Sequence, residues 1–465
     1  MEVSKKSNWL NPLALGLSAA VLAFSSCQKQ EKWEDLFDGE TLTGWRTVGG
    51  KAPYHVEDGM IVGVMTKGTP NSFLATEREF GDFILELEVK LEGDKTNSGI
   101  QTRSHIGEDA SSGRTWMYGR QVEIDPSPRR WSGGIYDESR RGWLYALDLN
   151  EGAKSAYKVD EFNHYRIEAI GNATRTWING VPTSAIIDTV DPSGFIGLQV
   201  HGIPDELDGL KVFFKNIRIQ TEKLKPQAFP ADVYIVNLIP NDLSEAEKAA
   251  GYELLFNGQD STGWRSALSG RPMEQSWEIA DGMMSVRPGV GWGDIITEKE
   301  YGAFDLSFAF RLTEGANSGV KYFCAWQDDI TDESGKVIWG KGIVGPEYQI
   351  LDDAKHPDAK GGRDGNRTLA SLYDMIAPAH NPRAYHRIGD WNLGRIRATP
   401  EGKVTHYLNG RAMVEFVRGS QEYHNLVDSS KYHVLDGFGM AEKGPILLQD
   451  HNDAVSFRSI KIKEL

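Results

Sequence analysis

Two groups of residues in this chain have the types needed to move a proton on a polyhydroxylated ligand. One is Glu347, Gln349, Lys321, Gln449 and His451, and the other is Glu123, Gln121, Gln101, Arg103, Gln199 and His201. Each group holds a carboxylate, a cation, carboxamides and an imidazole. Imidazole ionises near neutral pH, so His451 and His201 are suited to take or give a proton. A cation such as Lys321 or Arg103 can carry the charge that develops on an oxygen. Glu347 and Glu123 can orient the imidazole or accept hydrogen bonds from hydroxyls. The carboxamides of Gln349, Gln449, Gln101, Gln121 and Gln199, with Asp352, Tyr373 and Trp391, complete a candidate binding set. Aromatic residues interleave with these positions: Trp116, Tyr118, Trp131, Trp143 and Tyr145, then Trp326, Trp339, Tyr373 and Trp391. Sugars offer apolar C–H faces to aromatic rings and hydroxyls to amides and carboxylates, so such a cleft suits a carbohydrate.

Strands must position these groups. Side chains of a strand alternate between faces. Tyr348 and Ile350 therefore point to a core and Glu347 and Gln349 away from it, and Val122 and Ile124 place Gln121 and Glu123 likewise. The same rule puts Gln199 with His201, Gln449 with His451, and Gln101 with Arg103, with Lys321 as the outward cation of the second group. Residues 83–91 and 304–310 alternate with period two and are rich in aromatic and branched side chains, as strands are. Asn179-Gly180 and Asn409-Gly410 sit where type I′ hairpin turns fit.

The two groups belong to two copies of one module. Leu36-Phe37-Asp38-Gly39 before Gly44-Trp45 recurs as Leu255-Phe256-Asn257-Gly258 before Gly263-Trp264. Asp58-Gly59-Met60 recurs as Asp281-Gly282-Met283, and Asn97-Ser98-Gly99-Ile100 as Asn317-Ser318-Gly319-Val320. Gln121-Val122-Glu123-Ile124 answers Glu347-Tyr348-Gln349-Ile350, and Gly197-Leu198-Gln199-Val200-His201 answers Leu447-Leu448-Gln449-Asp450-His451. The blocks keep their order, and the offset grows from 219 at Gly-Trp to 250 at the histidines, so length differences fall in loops. The reading is an all-β chain of two β-sandwiches in tandem, at 33–220 and 252–465. A linker, 221–251, holds a short helix whose Ser244-x-x-Glu247 makes a capping box and whose Gly251 stops it.

The rest of the composition narrows the class. The 465 residues carry a net charge of −15, from 51 Lys and Arg against 66 Asp and Glu, which argues against a nucleic-acid partner. Lys5 and Lys6 before the apolar residues 13–24 read as an export signal, and Ser25-Ser26-Cys27 resembles a lipobox. That resemblance implies removal of 1–26, lipidation of Cys27, and an exported bacterial lipoprotein of the periplasm or outer membrane that meets membrane only through this anchor. Cys324, the second of two cysteines, then reads as a buried inert thiol. Asp352-Asp353, Asp358 and the cluster Asp450, Asn452, Asp453 offer oxygen ligands for a divalent ion such as Ca²⁺, with no His/Cys spacing for zinc and no phosphate loop for a nucleotide.

The succession Leu-Phe-Asp/Asn-Gly, Gly-Trp, Asp-Gly-Met, Asn-Ser-Gly, Glu-Tyr-Gln-Ile-Leu-Asp and Leu-Gln-Asp-His resembles the 3-keto-disaccharide hydrolase domain family, twice over. The resemblance is looser in the first copy, where Gln121-Val122-Glu123 replaces Glu-Tyr-Gln. It implies that the two sandwiches are concanavalin-like jelly rolls in tandem, and it implies cleavage of glycosides whose C3 hydroxyl has been oxidised to a ketone, by C2 proton abstraction, elimination and hydration. Under it, His451, Lys321 and Glu347 are the catalytic candidates, with His201, Arg103 and Glu123 as their matches. Glu123-Ile124-Asp125 also looks like the start of a jelly-roll glucanase run, but Pro128 stands where its second carboxylate belongs. The alternative left open is a non-catalytic carbohydrate-binding lipoprotein with two lectin-like modules.

Overall fold

The computed structural model describes residues 32–269, 273, 275–379 and 388–465. The export signal and Cys27 lie outside the described residues. Residues 33–465 form one compact unit containing two β-sandwiches.

In the first sandwich a nine-stranded sheet, centred on Phe83–Leu91, packs on a seven-stranded one. The latter runs Gly142–Tyr145, Ile135–Glu138, Arg114–Ile124, Ser98–Asp109, Phe195–Val200, Ser72–Thr76 and Trp45–Gly49. In the second, an eight-stranded sheet centred on Phe304–Leu312 packs on a five-stranded one. This runs Trp264–Ser266, Ile295–Tyr301, Gly444–Leu448, Asn317–Lys321 and Glu347–Leu351. Period-two alternation explains the layering. Phe83, Leu85, Leu87, Val89 and Leu91 enter one core, and Phe304, Leu306, Phe308, Phe310 and Leu312 the other. Burying each such side chain contributes about 1.5–3 kcal/mol. Both Asn-Gly turns have positive φ at both residues, 51° and 79° in the first copy and 48° and 79° in the second, as a type I′ hairpin requires.

The linker joins the two sandwiches. Val236–Asn237 adds a parallel strand to Val181–Ile187 of the first. The helix Glu245–Ala249 carries the full Ser244/Glu247 capping box, and the Glu247 carboxylate then binds Lys461 of the second. Tyr234 stacks at 3.8 Å on Arg395, which forms a buried bidentate pair with Asp305. Between linker and sheets lies a cavity of about 550 Å³.

Candidate active site

The two smaller sheets present their outward faces in matching register, so each position of one can be read against the other. Lys321 lies opposite Glu347 and Gly319 opposite Gln349. In the first sandwich Gln101 lies opposite Gln121 and Gly99 opposite Glu123. Ser98 Oγ donates to the Gln199 carbonyl and Ser318 Oγ to that of Gln449, both at 2.7 Å. Lys321 thus corresponds to Gln101, Glu347 to Gln121, Gln349 to Glu123, and His451 to His201.

In the second sandwich the face is charged. Lys321 Nζ is 3.9 Å from Glu347 Oε2, and both side chains are largely buried. Burial pushes the Glu347 carboxyl above its ordinary value, against the pull of Lys321 and Lys431. Burial works against the Lys321 ammonium, but Glu347, Asp294 and the Cys324 thiol hold its pKa above the usual lysine value. Asp294 is raised by burial too, and its carboxylate accepts the Asp450 N–H at 2.9 Å. Gly319 lets the sheet hold this pair: a Cβ there would lie 2.3 Å from Glu347 Oε1. The Gln349 carboxamide lies between Asn317 and Glu347, donating to Glu347 Oε1 at 3.1 Å in the orientation that satisfies both groups. Gln449 Oε1 is buried with no partner among the described residues.

His451 stands at the rim of this face, its side chain 41% exposed and 4.0 Å from Asp453. Its ring packs edge-on against Trp292 and against His356, each centroid at 5.9 Å. It acts electrostatically on both Glu347 and Asp294. The imidazole, the carboxylate and the ammonium therefore share one side of one sheet. Tyr373 closes another edge. Its N–H donates to the Glu347 carbonyl at 3.1 Å and its hydroxyl to Asp358 at 2.7 Å, and Lys431 Nζ lies 4.2 Å from its ring.

In the first sandwich the face is a chain of hydrogen-bonded carboxamides ending at one carboxylate, Glu123, which lies 3.7 Å from the half-exposed Arg129 guanidinium. Ser104 Oγ donates to Gln101 Oε1, Gln101 Nε2 to Gln121 Oε1, and Gln121 Nε2 to Glu123 Oε2 at 2.7, 2.7 and 3.0 Å. Asn97 donates to Glu123 Oε1 at 2.7 Å. Burial lifts the Glu123 carboxyl to about 7. Phe73, opposite Gln199, stands where Asp294 stands in the second copy. His201 Nδ1 contacts the Gly202 carbonyl at 2.5 Å, and both side-chain polar atoms of Gln199 are buried without a partner among the described residues.

Several sequence expectations are corrected here. Arg103 does not share a face with Gln101. It sits in a bulge at φ 47°, which reverses the alternation, and its guanidinium binds Asp82 and the carbonyls of Gly81, Ala169 and Gly171. Its counterpart is Phe323, at φ 48° in the matching break. Glu123 matches Gln349 and not Glu347. Asp352 organises a turn, accepting the N–H groups of Gly315 and Ala354 at 2.7 and 2.9 Å. Trp391 lies beside the other sheet at the seam between sandwiches, under the guanidiniums of Arg458 and Arg311. Asp294, Lys431, Trp292 and His356 join the site without having been singled out. Asp294 had a signal available, an acid where the repeat has an apolar residue.

Of the acidic groups considered for Ca²⁺, Asp352, Asp353, Asp358 and Asp450 each accept protein donors. Among the described residues the grouping with metal-ligand spacing is His356, His451 and Asp453, whose ligand atoms lie within 4.8 Å of one another. That set contains two nitrogens, unlike the all-oxygen shell calcium prefers. His356 Nδ1 already accepts the Asp358 N–H at 3.2 Å.

Comparison with known proteins completes the description. The profile of the 3-keto-alpha-glucoside-1,2-lyase-like domain matches residues 32–220 and again 251–463. A 3-keto-disaccharide hydrolase of Bacteroides thetaiotaomicron is 32% identical over 234 residues, 47% of this chain and 79% of the relative. A solved candidate glycosyl hydrolase from Parabacteroides distasonis is 30% identical, covering 49% of this chain and 99% of its own, with a TM-score of 0.40. A carbohydrate-binding module from Bacillus subtilis is 16% identical, covering 39% and 98%, with a TM-score of 0.27.

Proposed function

Starting from the fact that this chain belongs to the 3-keto-alpha-glucoside-1,2-lyase-like family, in two copies, we propose that its second sandwich cleaves 3-keto-glycosides or 3-keto-disaccharides. The observation that carries this reading is the meeting of His451, Glu347, Lys321 and Asp294 on one sheet face.

A ketone at C3 acidifies the C2 hydrogen. His451, at the solvent-facing rim, takes that proton, and the electron pair moves into an enolate at C3. Lys321, kept charged by its carboxylate neighbours, stabilises the enolate oxygen. Collapse of the enolate expels the C1 oxygen with its aglycone, which takes up a proton, leaving a C1–C2 double bond conjugated to the ketone. Water then adds, hydroxide to C1 and a proton to C2, giving the free 3-keto sugar. Glu347 balances the Lys321 charge and, with Gln349, Gln449 and Tyr373, holds sugar hydroxyls.

At the ladder positions of Lys321 and Glu347 the first sandwich holds the amides Gln101 and Gln121, so no turnover is assigned to its face. The test is release of aglycone from a 3-keto-glucoside and from the same glucoside unoxidised. Release from the oxidised compound alone is expected. Release from both, or binding of the oxidised compound without release, rejects the proposal, the latter in favour of a lectin-like role.

A further inference from the structure

Away from the second sandwich, the first carries a groove of about 460 Å³ that the chemistry above does not use. It is bounded by residues 49–51 and 68–71, by the hairpin tip 114–117, and by Glu138 and Ser139.

Trp116 forms one wall. It lies directly opposite Gly107 in the hairpin, and a Cβ on Gly107 would sit 2.4 Å from the indole ring. The ring therefore rests against bare backbone, which fixes it before any ligand arrives and leaves it lining the groove. The far wall is polar and equally fixed. Asn71 Oδ1 accepts the Gly202 N–H at 2.8 Å, and its Nδ2 donates to Glu138 Oε1 at 3.2 Å. Ser139 Oγ donates to that same oxygen at 3.2 Å, so both donors hold one carboxylate oxygen and leave the other to a ligand. Lys51 and Arg114 line the groove as well, so its charges are of both signs, and the carboxylate offers an acceptor to hydroxyl donors. A preset aromatic platform facing a preset acceptor is the arrangement that lowers the ordering cost of binding a ring with one apolar face.

We propose that this groove is a saccharide-binding subsite, in which a neutral, unoxidised pyranose stacks on Trp116 and donates hydroxyl hydrogen bonds to Glu138. It performs no chemistry and holds a glycosyl unit beside the catalytic sandwich. The inference rests on the chain acting on glycosides, but its test needs no turnover.

The full chain is titrated with methyl α-glucoside, maltose and cellobiose, followed by tryptophan fluorescence and calorimetry. Saturable binding of at least one sugar is expected. Trp116→Ala should weaken it about tenfold or more, and Gly107→Ala, whose methyl would displace the ring, should act likewise. Glu138→Gln, which keeps the shape and the Asn71 contact, serves as the conservative variant and should also weaken binding. Absence of saturable binding for all three sugars, or wild-type affinity in folded Gly107→Ala and Glu138→Gln, overturns the subsite. Intact binding with no aglycone release counts against the catalytic reading and leaves the subsite standing.

Discussion

At the same four ladder positions, one sandwich places Lys321, Glu347, Gly319 and Gln349, and the other Gln101, Gln121, Gly99 and Glu123. The backbone is shared down to the break at Phe323 and Arg103. What differs is charge. The second face keeps a largely buried cation paired with its carboxylate across the ladder, whereas the first converts that pair to two amides and moves its carboxylate two residues along the strand, where its cation, Arg129, is half exposed at 3.7 Å. A buried hydrogen-bonded amide chain stabilises a fold without any group free to change protonation, apart from Glu123 at its end. A buried ion pair costs desolvation and contributes little net stability, so its retention in one copy is better explained by chemistry than by folding.

The largest effect separating the two faces should be kinetic. Lys321→Met or Glu347→Gln should lower aglycone release from a 3-keto-glucoside by about 10²–10⁴-fold, while Gln101→Met or Gln121→Met leaves the rate within about twofold. Equal losses from both sets would erase the distinction. A reversed pattern follows for stability. Arg103→Met strands the carbonyls of Gly81, Ala169 and Gly171 and should cost about 3–4 kcal/mol in denaturant unfolding, with the turnover of folded protein unchanged.

Next in size is a pH effect on stability read at Glu123 of the first face. Folded Glu123 titrates near 7 and an unfolded glutamate near 4.5, so between these values the folded state holds the extra proton. Its contribution is most favourable below pH 4.5 and is lost as pH rises through 7, on the order of 3 kcal/mol in all. Glu123→Gln should flatten that slope in unfolding curves measured from pH 5 to 8. An unchanged slope would mean that Glu123 is ionised in the fold. The smallest effect concerns two tyrosines beside the matched positions, Tyr373, whose N–H bonds the Glu347 carbonyl, and Tyr136, which lies opposite Gln121 in the first sandwich. Tyr373→Phe, which removes the bond to Asp358, should raise KM about fivefold, and Tyr136→Phe should not change it.

Much of this was legible from alternation alone. Glu347, Gln349 and Lys321, like Gln101, Gln121 and Glu123, lie outward because their neighbours Tyr348, Val320, Ile100 and Val122 are core residues. The rule failed at Arg103, where one residue at positive φ shifted the parity with no glycine to signal it. It could not reach Lys431, which comes to Tyr373 from a short helical segment far along the chain, because such contacts are set by loop closure and not by local period. Trp391 misled for a related reason: residue type suits a sugar, but sheet membership decides what the ring meets, and here it meets two guanidiniums.

The division of labour between the sandwiches is tested most directly by making His451→Ala and His201→Ala separately and measuring aglycone release from one 3-keto-glucoside. Loss of turnover in the first variant with a wild-type rate in the second is the predicted result. Turnover that survives His451→Ala, or disappears in a folded His201→Ala protein, would contradict it.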